Sequence, residues 1–169
     1  MTSIRHNDGV LDAARDCVLA YGVRRTTLTD VARRAGVSRM TIYRRWPDVR
    51  SLVADLMTRE WVGALADFDM SDPVAAVVEG VRRLRGHPLW RKIVEADPEL
   101  LLPYLLRQRG ATHEAVLDVL ERAVGDPGKA RAVLLVAQSF LMSAPTMTGP
   151  VTLDDLDAEL TALLEGYLG

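Results

Sequence analysis

Read for the spacing of its apolar positions, the chain is helical throughout. Val10, Ala14, Cys17, Val18 and Tyr21 recur at three- and four-residue intervals and Gly22 supplies a stop, which predicts a first helix. Thr27, with Asp30 three residues on, is a capping pattern that starts a second helix near Leu28. Gly36 accepts the left-handed backbone that closes a helix, and Ser38 is an N-cap for a third, so the turn between them is short. In that third helix Ile42 and Trp46 lie four apart and should pack on Val31 and Ala35, while Arg39, Tyr43 and Arg44 project from another face. Pro47 breaks it. Asp48 then caps a long helix with the stripe Val49, Leu52, Val53, Leu56, Met57, Trp61, Leu65 and Phe68.

Further along, Ser71-Asp72-Pro73 opens a helix that buries Val74, Val77, Val78, Val81 and Leu84 and ends at Gly86. Its Arg82, Arg83 and Arg85 are expected to form a solvated face rather than a second nucleic-acid site. His87-Pro88 introduces a short helix with Trp90, Ile93 and Val94, and Asp97-Pro98 punctuates before the apolar run LLLPYLLRQ, expected to kink at Pro103. Thr112 to Val124 is periodic, Gly125-Asp126-Pro127 separates it from the next helix, and that helix is apolar on nearly every side to about Ala144. Thr152 and Asp155 cap a last helix whose Leu153, Leu156, Leu160, Leu163 and Tyr167 alternate three- and four-residue spacing. One small domain rarely buries both faces of a helix. Leu134 and Leu141 with the last helix's seam are therefore expected to form a four-helix dimer interface, the alternative being that both helices close the monomer core.

Charge sharpens this picture. The 169 residues are 49% apolar, enough for a buried core, and carry a formal charge of -2. Residues 1–50 hold 10 Arg against 5 Asp, a charge of +5, so the remainder carries -7 and the anion-binding part is the amino-terminal third. Arg5 and His6 lie in a stretch before about Asn7 expected to be an arm able to reach phosphates or simply a frayed end. A single Cys17 excludes an internal disulfide and sits on the first helix's apolar stripe, where core packing is its default role. The start of the chain lacks the apolar segment of a signal peptide and no run approaches the roughly 18 apolar residues of a membrane span, so a cytoplasmic protein is expected. His6, His87 and His113 are dispersed, and there is no glycine-rich phosphate loop, paired-cysteine site or nucleophile elbow. No enzyme, metal site or cofactor is expected.

The third helix suits DNA. Arginine grips a phosphate or the O6/N7 edge of guanine in a bidentate way, while Tyr43 and Thr41 add phosphate contacts or a methyl contact to thymine, as in a helix-turn-helix whose second helix enters the major groove. The stretch AGVSRMTIYRRW, preceded by Thr27 to Ala32, resembles the signature of the TetR (tetracycline repressor) family, over about residues 8 to 56. The resemblance implies an all-α protein: a three-helix helix-turn-helix DNA-binding domain at 1–47 and a helical ligand-binding and dimerisation domain at 48–169. It further implies a homodimeric repressor released from a double-stranded operator by a small molecule, and a long helix from Asp48 that passes the signal between domains. Carried over position by position, Thr27 or Thr29 would touch phosphate, and Ser38, Arg39, Met40, Thr41, Tyr43, Arg44 and Arg45 would occupy or flank the groove. Met40 stands where the family often has glycine and Val49 where a phosphate-binding lysine is common, with Arg50 beside it as a substitute. For the effector, the candidate cavity lining is Trp61, Phe68, Trp90, Ile93, Tyr104, Leu105 and Met142, with Gln138 and the Tyr104 hydroxyl as polar groups, and low charge there argues for an apolar or amphipathic guest. Two rival readings share these features: a helical protein-interaction module, which would leave no sequence-dependent footprint on DNA, and an activator.

Overall fold

The computed structural model describes residues 2–169, with side chains from Asp8 onward. Arg5 and His6 therefore fall outside the described side chains. Among the described residues ten α-helices follow one another, with no strand: α1 (Thr2–Tyr21), α2 (Leu28–Ala35), α3 (Arg39–Tyr43), α4 (Val49–Leu65), α5 (Pro73–Gly86), α6 (Pro88–Ala96), α7 (Leu102–Leu106), α8 (Ala111–Val124), α9 (Pro127–Ser143) and α10 (Leu153–Leu168). Local signals explain most boundaries. The side chains of Thr27, Ser38, Asp72, Asp126 and Thr152 each accept a backbone N–H in the first turn of the helix that follows, and Asp48 accepts from Ser51 N at 2.7 Å. Two expectations change. The run around Pro103 does not kink; a short 3-10 turn at Pro98–Leu100 is followed by a separate α7 in which Pro103 occupies the first turn, where its missing N–H costs nothing. Tyr21, placed on the buried stripe of α1, is 58% exposed.

The chain forms two compact units, residues 1–60 with 88–110, and residues 61–87 with 111–169. This is a different division from a boundary after residue 47, because α6 packs on α1 and the third turn of α4 is bonded to α1 through Arg59 and Glu60. Arg59 reaches the carbonyl of Asp8 at 3.2 Å and the carboxylate of Asp12 at 2.9 Å, and Arg15 donates to Glu60 at 2.9 Å. The first unit buries Val18 of α1, Val31 of α2, Ile42 of α3, Leu52 and Leu56 of α4, and Leu89 and Ile93 of α6.

In the second unit a core of Val78, Val81, Leu120, Ala130, Val133, Leu160 and Leu164 joins α5, α8, α9 and α10. Beside it lies a buried charge. Asp157 of α10 has 1% of its side chain exposed; Arg85 donates to its two oxygens at 2.8 and 3.2 Å and Arg82 at 2.9 Å. Those two arginines thus hold α10 to α5 rather than forming the solvated face expected of them. Arg83 lies 4.4 Å from the centre of the Phe68 ring and donates to the Ala64 carbonyl at 3.0 Å. Leu160 also departs from expectation: it is fully buried within a single chain, so its side chain is already spent on the monomer core, as is that of Leu164 at 2% exposure. Leu163 and Tyr167, on the same helix, are 56% and 49% exposed.

This packing fixes how the two leucines differ in stability. Leu160→Ala should cost about 2–5 kcal/mol by leaving a cavity, whereas Leu163→Ala should stay within about 0.5 kcal/mol at protein concentrations where the chain is monomeric. Denaturant titration separates them. For Asp157, burial pushes the carboxyl up but hydrogen bonds from Arg85 and then Arg82 outweigh it, holding the group below its ordinary value of 3.8. Its contribution is therefore present above the unfolded value and is lost as pH falls through the lowered folded one. Asp157→Asn should lose about 3 kcal/mol at neutral pH and flatten the acid limb of the unfolding curve.

Candidate nucleic-acid interface

The turn between α2 and α3 is built from short-range bonds. Gly36 takes φ 67°, ψ 27°, and Val37 N donates to the Ala32 carbonyl at 3.0 Å, which closes α2. Ser38 then caps α3, its hydroxyl accepting from Thr41 N at 3.2 Å and lying 2.8 Å from the Thr41 hydroxyl. The helix proper is shorter than expected, Arg39–Tyr43, and Arg44 to Trp46 form a closing turn in which Arg45 N and Trp46 N both donate to the Ile42 carbonyl at 2.9 Å. Ile42 is fully buried and Trp46 is 3% exposed, its indole N–H donating to Asp55 of α4 at 2.9 Å. These anchors leave the opposite face outward.

That face carries Arg39, Met40, Tyr43 and Arg44, all exposed, with Met40 76% and Tyr43 49% open. Neither Arg39 nor Arg44 has an ion-pair partner among the described residues, whereas Arg33 and Arg34 of α2 pair with Asp30 at 2.9 Å and Asp16 at 3.0 Å. Arg45 is drawn back, 5.1 Å from the Trp46 ring centre and 4.0 Å from Asp55. Thr41 is half-buried; Thr27, whose hydroxyl caps α2, is exposed, and Thr29, in the first turn of α2, is half-buried. Arg50 stands exposed at the start of α4, beside half-buried Val49. The ten candidate residues thus lie on α2 and α3 with their N-caps, in the closing turn after α3 and in the first turn of α4, all in the first unit.

The loop that leads into α2 is held from elsewhere. Gly22 takes φ 80°, Thr26 is buried with its hydroxyl donating to the Gly22 carbonyl at 2.8 Å, and Thr26 N donates to Val23 O at 3.1 Å. Asp97, 2% exposed, accepts from Val23 N at 2.7 Å and Arg24 N at 3.3 Å, and Glu99 accepts from Arg24 Nε at 2.7 Å. In the sequence Asp97 reads as punctuation before Pro98, because nothing local marks its partner.

Effector candidates are divided between the units. Trp61, Phe68, Gln138 and Met142 lie half-buried in the second, where the Gln138 amide meets the His113 ring nitrogen at 2.5 Å. Trp90 and Ile93 are core residues of the first unit, with half-buried Tyr104 and exposed Leu105 on α7. A cleft of about 230 Å³ in the second unit is lined by Pro73, Val74, Ala123, Val124, Lys129 and Leu168, none of them a candidate. Of the expected interface residues, Leu134, Leu141, Leu153 and Leu156 are half-buried, while Leu135, absent from that expectation, is 66% exposed on α9. Cys17 is buried, and burial pushes its thiol up, as suits core packing.

Two capped helices in quick succession, the second anchored by Ile42 and Trp46 and presenting arginines outward, define a helix-turn-helix DNA-binding protein. Residues 10–56 match the family described as bacterial regulatory proteins, tetR family. An uncharacterized HTH-type transcriptional regulator of Mycobacterium tuberculosis is 36% identical, over 94% of this chain and 92% of its own. The chain belongs to the TetR family of transcriptional regulators and is not an enzyme. Among solved structures, a TetR regulator from Rhodococcus sp. RHA1 is similar with a TM-score of 0.70, 20% identity and 97% of each chain covered. The multidrug binding protein EbrR complexed with proflavin is similar with a TM-score of 0.62 and 22% identity, covering 96% of this chain and 99% of that one. No helix among the described residues is long and apolar enough to cross a membrane.

The cap makes a direct prediction. Ser38→Ala should cost about 1 kcal/mol and loosen α3, whereas Tyr43→Ala should leave the unfolding midpoint nearly unchanged because half its surface is already open. Thermal melts of the two variants check this.

Proposed function

We propose that this regulator is a homodimeric repressor that binds a dyad-symmetric operator and leaves it when a small apolar or amphipathic molecule occupies the helical region after residue 47. The observation that carries the DNA half is the exposed face of α3, where Arg39 and Arg44 stand without ion-pair partners among the described residues, beside Met40 and Tyr43. The first compact unit, residues 1–60 with 88–110, supplies the reading surface, and residues 61–87 with 111–169 supply the effector and dimer surfaces. Arg44 and Arg39 neutralise phosphates or take guanine edges, Tyr43 and Thr27 or Thr29 bond phosphates, and Arg50 stands in for the lysine that Val49 replaces.

Dimerisation is supported by apolar surface that the single chain leaves open on its last two helices, Leu135, Leu163 and Tyr167. A two-fold pair of reading heads meets two half-sites, which gives the dimer its purpose. The effector half is supported by the half-buried Trp61, Phe68, Gln138 and Met142, and by EbrR, a neighbour in fold that was solved with proflavin bound. A guest releases DNA only by binding the DNA-incompetent arrangement more tightly than the competent one, and α4, which runs from one compact unit into the other, is the lever.

Selection from random duplexes tests the reading. The expected result is enrichment of a dyad-symmetric site whose affinity falls about 10³-fold or more between 50 and 200 mM salt, with Arg44→Ala weakening it without loss of helix content. Enrichment of no such site contradicts the DNA reading. For assembly, Leu163→Asp should give helical monomers that bind operator poorly, measured by sedimentation, and a wild-type chain that stays monomeric at micromolar concentration contradicts the dimer.

A further inference from the structure

Asp97 stands at the N-cap position of the 3-10 turn before Pro98, yet its side chain makes no capping bond there. Its carboxylate crosses 74 residues of sequence instead, to the backbone of the loop between α1 and α2. A buried carboxylate has to be satisfied, and here the donors are main-chain: Val23 N at 2.7 Å and Arg24 N at 3.3 Å, with the Arg24 guanidinium 3.5 Å away. The fit is close. A Cβ built on Gly22 would lie 3.0 Å from Asp97 Oδ2, and the same glycine has φ 80°, so the loop needs glycine's backbone and any side chain there would crowd the carboxylate.

What this carboxylate holds leads straight into the reading surface. From Gly22 to Thr26 the loop is bonded to itself by the Thr26 hydroxyl and the Thr26 amide. Thr27 comes next, and its hydroxyl caps α2. A displacement of Val23 is therefore passed through this bonded turn to the start of α2. We propose that Asp97 is a positioning residue for DNA binding: from the segment Pro88–Gly110 it holds Val23 and Arg24 and so sets where Thr27 and the first turn of α2 meet phosphate. The Glu99–Arg24 pair at 2.7 Å is the outer, exposed half of the same latch. This rests on the DNA reading above. It adds that the reading head is incomplete without a carboxylate supplied some 70 residues downstream, in a segment tethered at both ends to the chain of the second unit.

Asparagine at 97 keeps the shape and one acceptor oxygen but turns an N–H donor toward one of the two amides. With the duplex recovered by selection as probe, Asp97→Asn should lower affinity about tenfold while helix content stays at the wild-type level. Phosphate ethylation interference should lose its signal at the phosphate that Thr27 and the first turn of α2 meet, while the slope of log K against log salt stays at the wild-type value, because those donors are uncharged. Val18→Ala, a core truncation in α1, serves as the control for simple destabilisation and should keep the wild-type interference pattern. An Asp97→Asn protein that melts earlier but, where still folded, binds within about twofold of wild type and with the wild-type interference pattern overturns the proposal. A selection that enriches no duplex overturns the DNA reading instead, before any variant is made. Amide exchange on the wild-type protein decides the case in which Asp97→Asn does not fold. Val23 and Arg24 amides as slow as those in the middle of α1 agree with a latch closed in the native state, and exchange at open-loop rates overturns it.

Discussion

A five-residue helix has no stability of its own, since nucleating one turn fixes several backbone angles for a single hydrogen bond. Everything that α3 does therefore depends on what pins it: Ile42 and Trp46 buried beneath it, the Trp46 indole bonded to Asp55 of α4, and Ser38 capping its start. Trp46 is central. It fills the space beneath the helix with a large apolar body and directs its one polar atom to the carboxylate that also draws back Arg45, 4.0 Å away. Arg39 and Arg44 are left to face outward because the anchors occupy the opposite side. Specific contact with a duplex requires such a rigid mount, because a floppy arginine gives up on binding much of what its bonds to phosphate contribute.

A second constraint acts at the other end of the head. The loop from Gly22 to Thr26 is short, internally bonded and tied to a buried carboxylate, so the start of α2 is held from outside the motif, as α3 is. The two helices of the motif are thus held by different parts of the chain. The mount of α3 comes from α4 and the mount of the α1–α2 loop comes from the segment around Asp97. Each is a polar bond from a carboxylate to a mostly buried donor, strong in a low-dielectric setting and costly to leave unmade.

How much of this was legible in the sequence depended on range. Helix starts are local events, and Thr27, Ser38, Asp48 and Thr152 all cap where spacing places them. The anchoring role of Ile42 and Trp46 was equally readable, because helical periodicity alone puts them on one face. Bonds between distant parts of the chain were not. Asp97 and Asp157 carry no local mark that distinguishes a buried carboxylate from a surface one, and their partners lie 74 and 75 residues away. For the same reason Arg82 and Arg85 looked like a solvated face. Leu160 and Leu163 share one leucine spacing, and only the packing of α5, α8 and α9 around α10 decides that the first is core and the second open. Of the residues proposed to read DNA, Arg39, Met40, Tyr43 and Arg44 are exposed on the outward face of α3, while the withdrawal of Arg45 needed Asp55, ten residues on.

The central claim is that the outward face of α3 reads DNA in two half-sites. Hydroxyl-radical footprinting on the selected duplex tests it most directly, because the cleavage pattern reports which grooves and phosphates the protein covers. Two symmetric protected patches separated by about 10 base pairs or a multiple of that, both weakened by Arg44→Ala, are the predicted result. Protection that is uniform along the duplex, or that Arg44→Ala leaves unchanged, would contradict it.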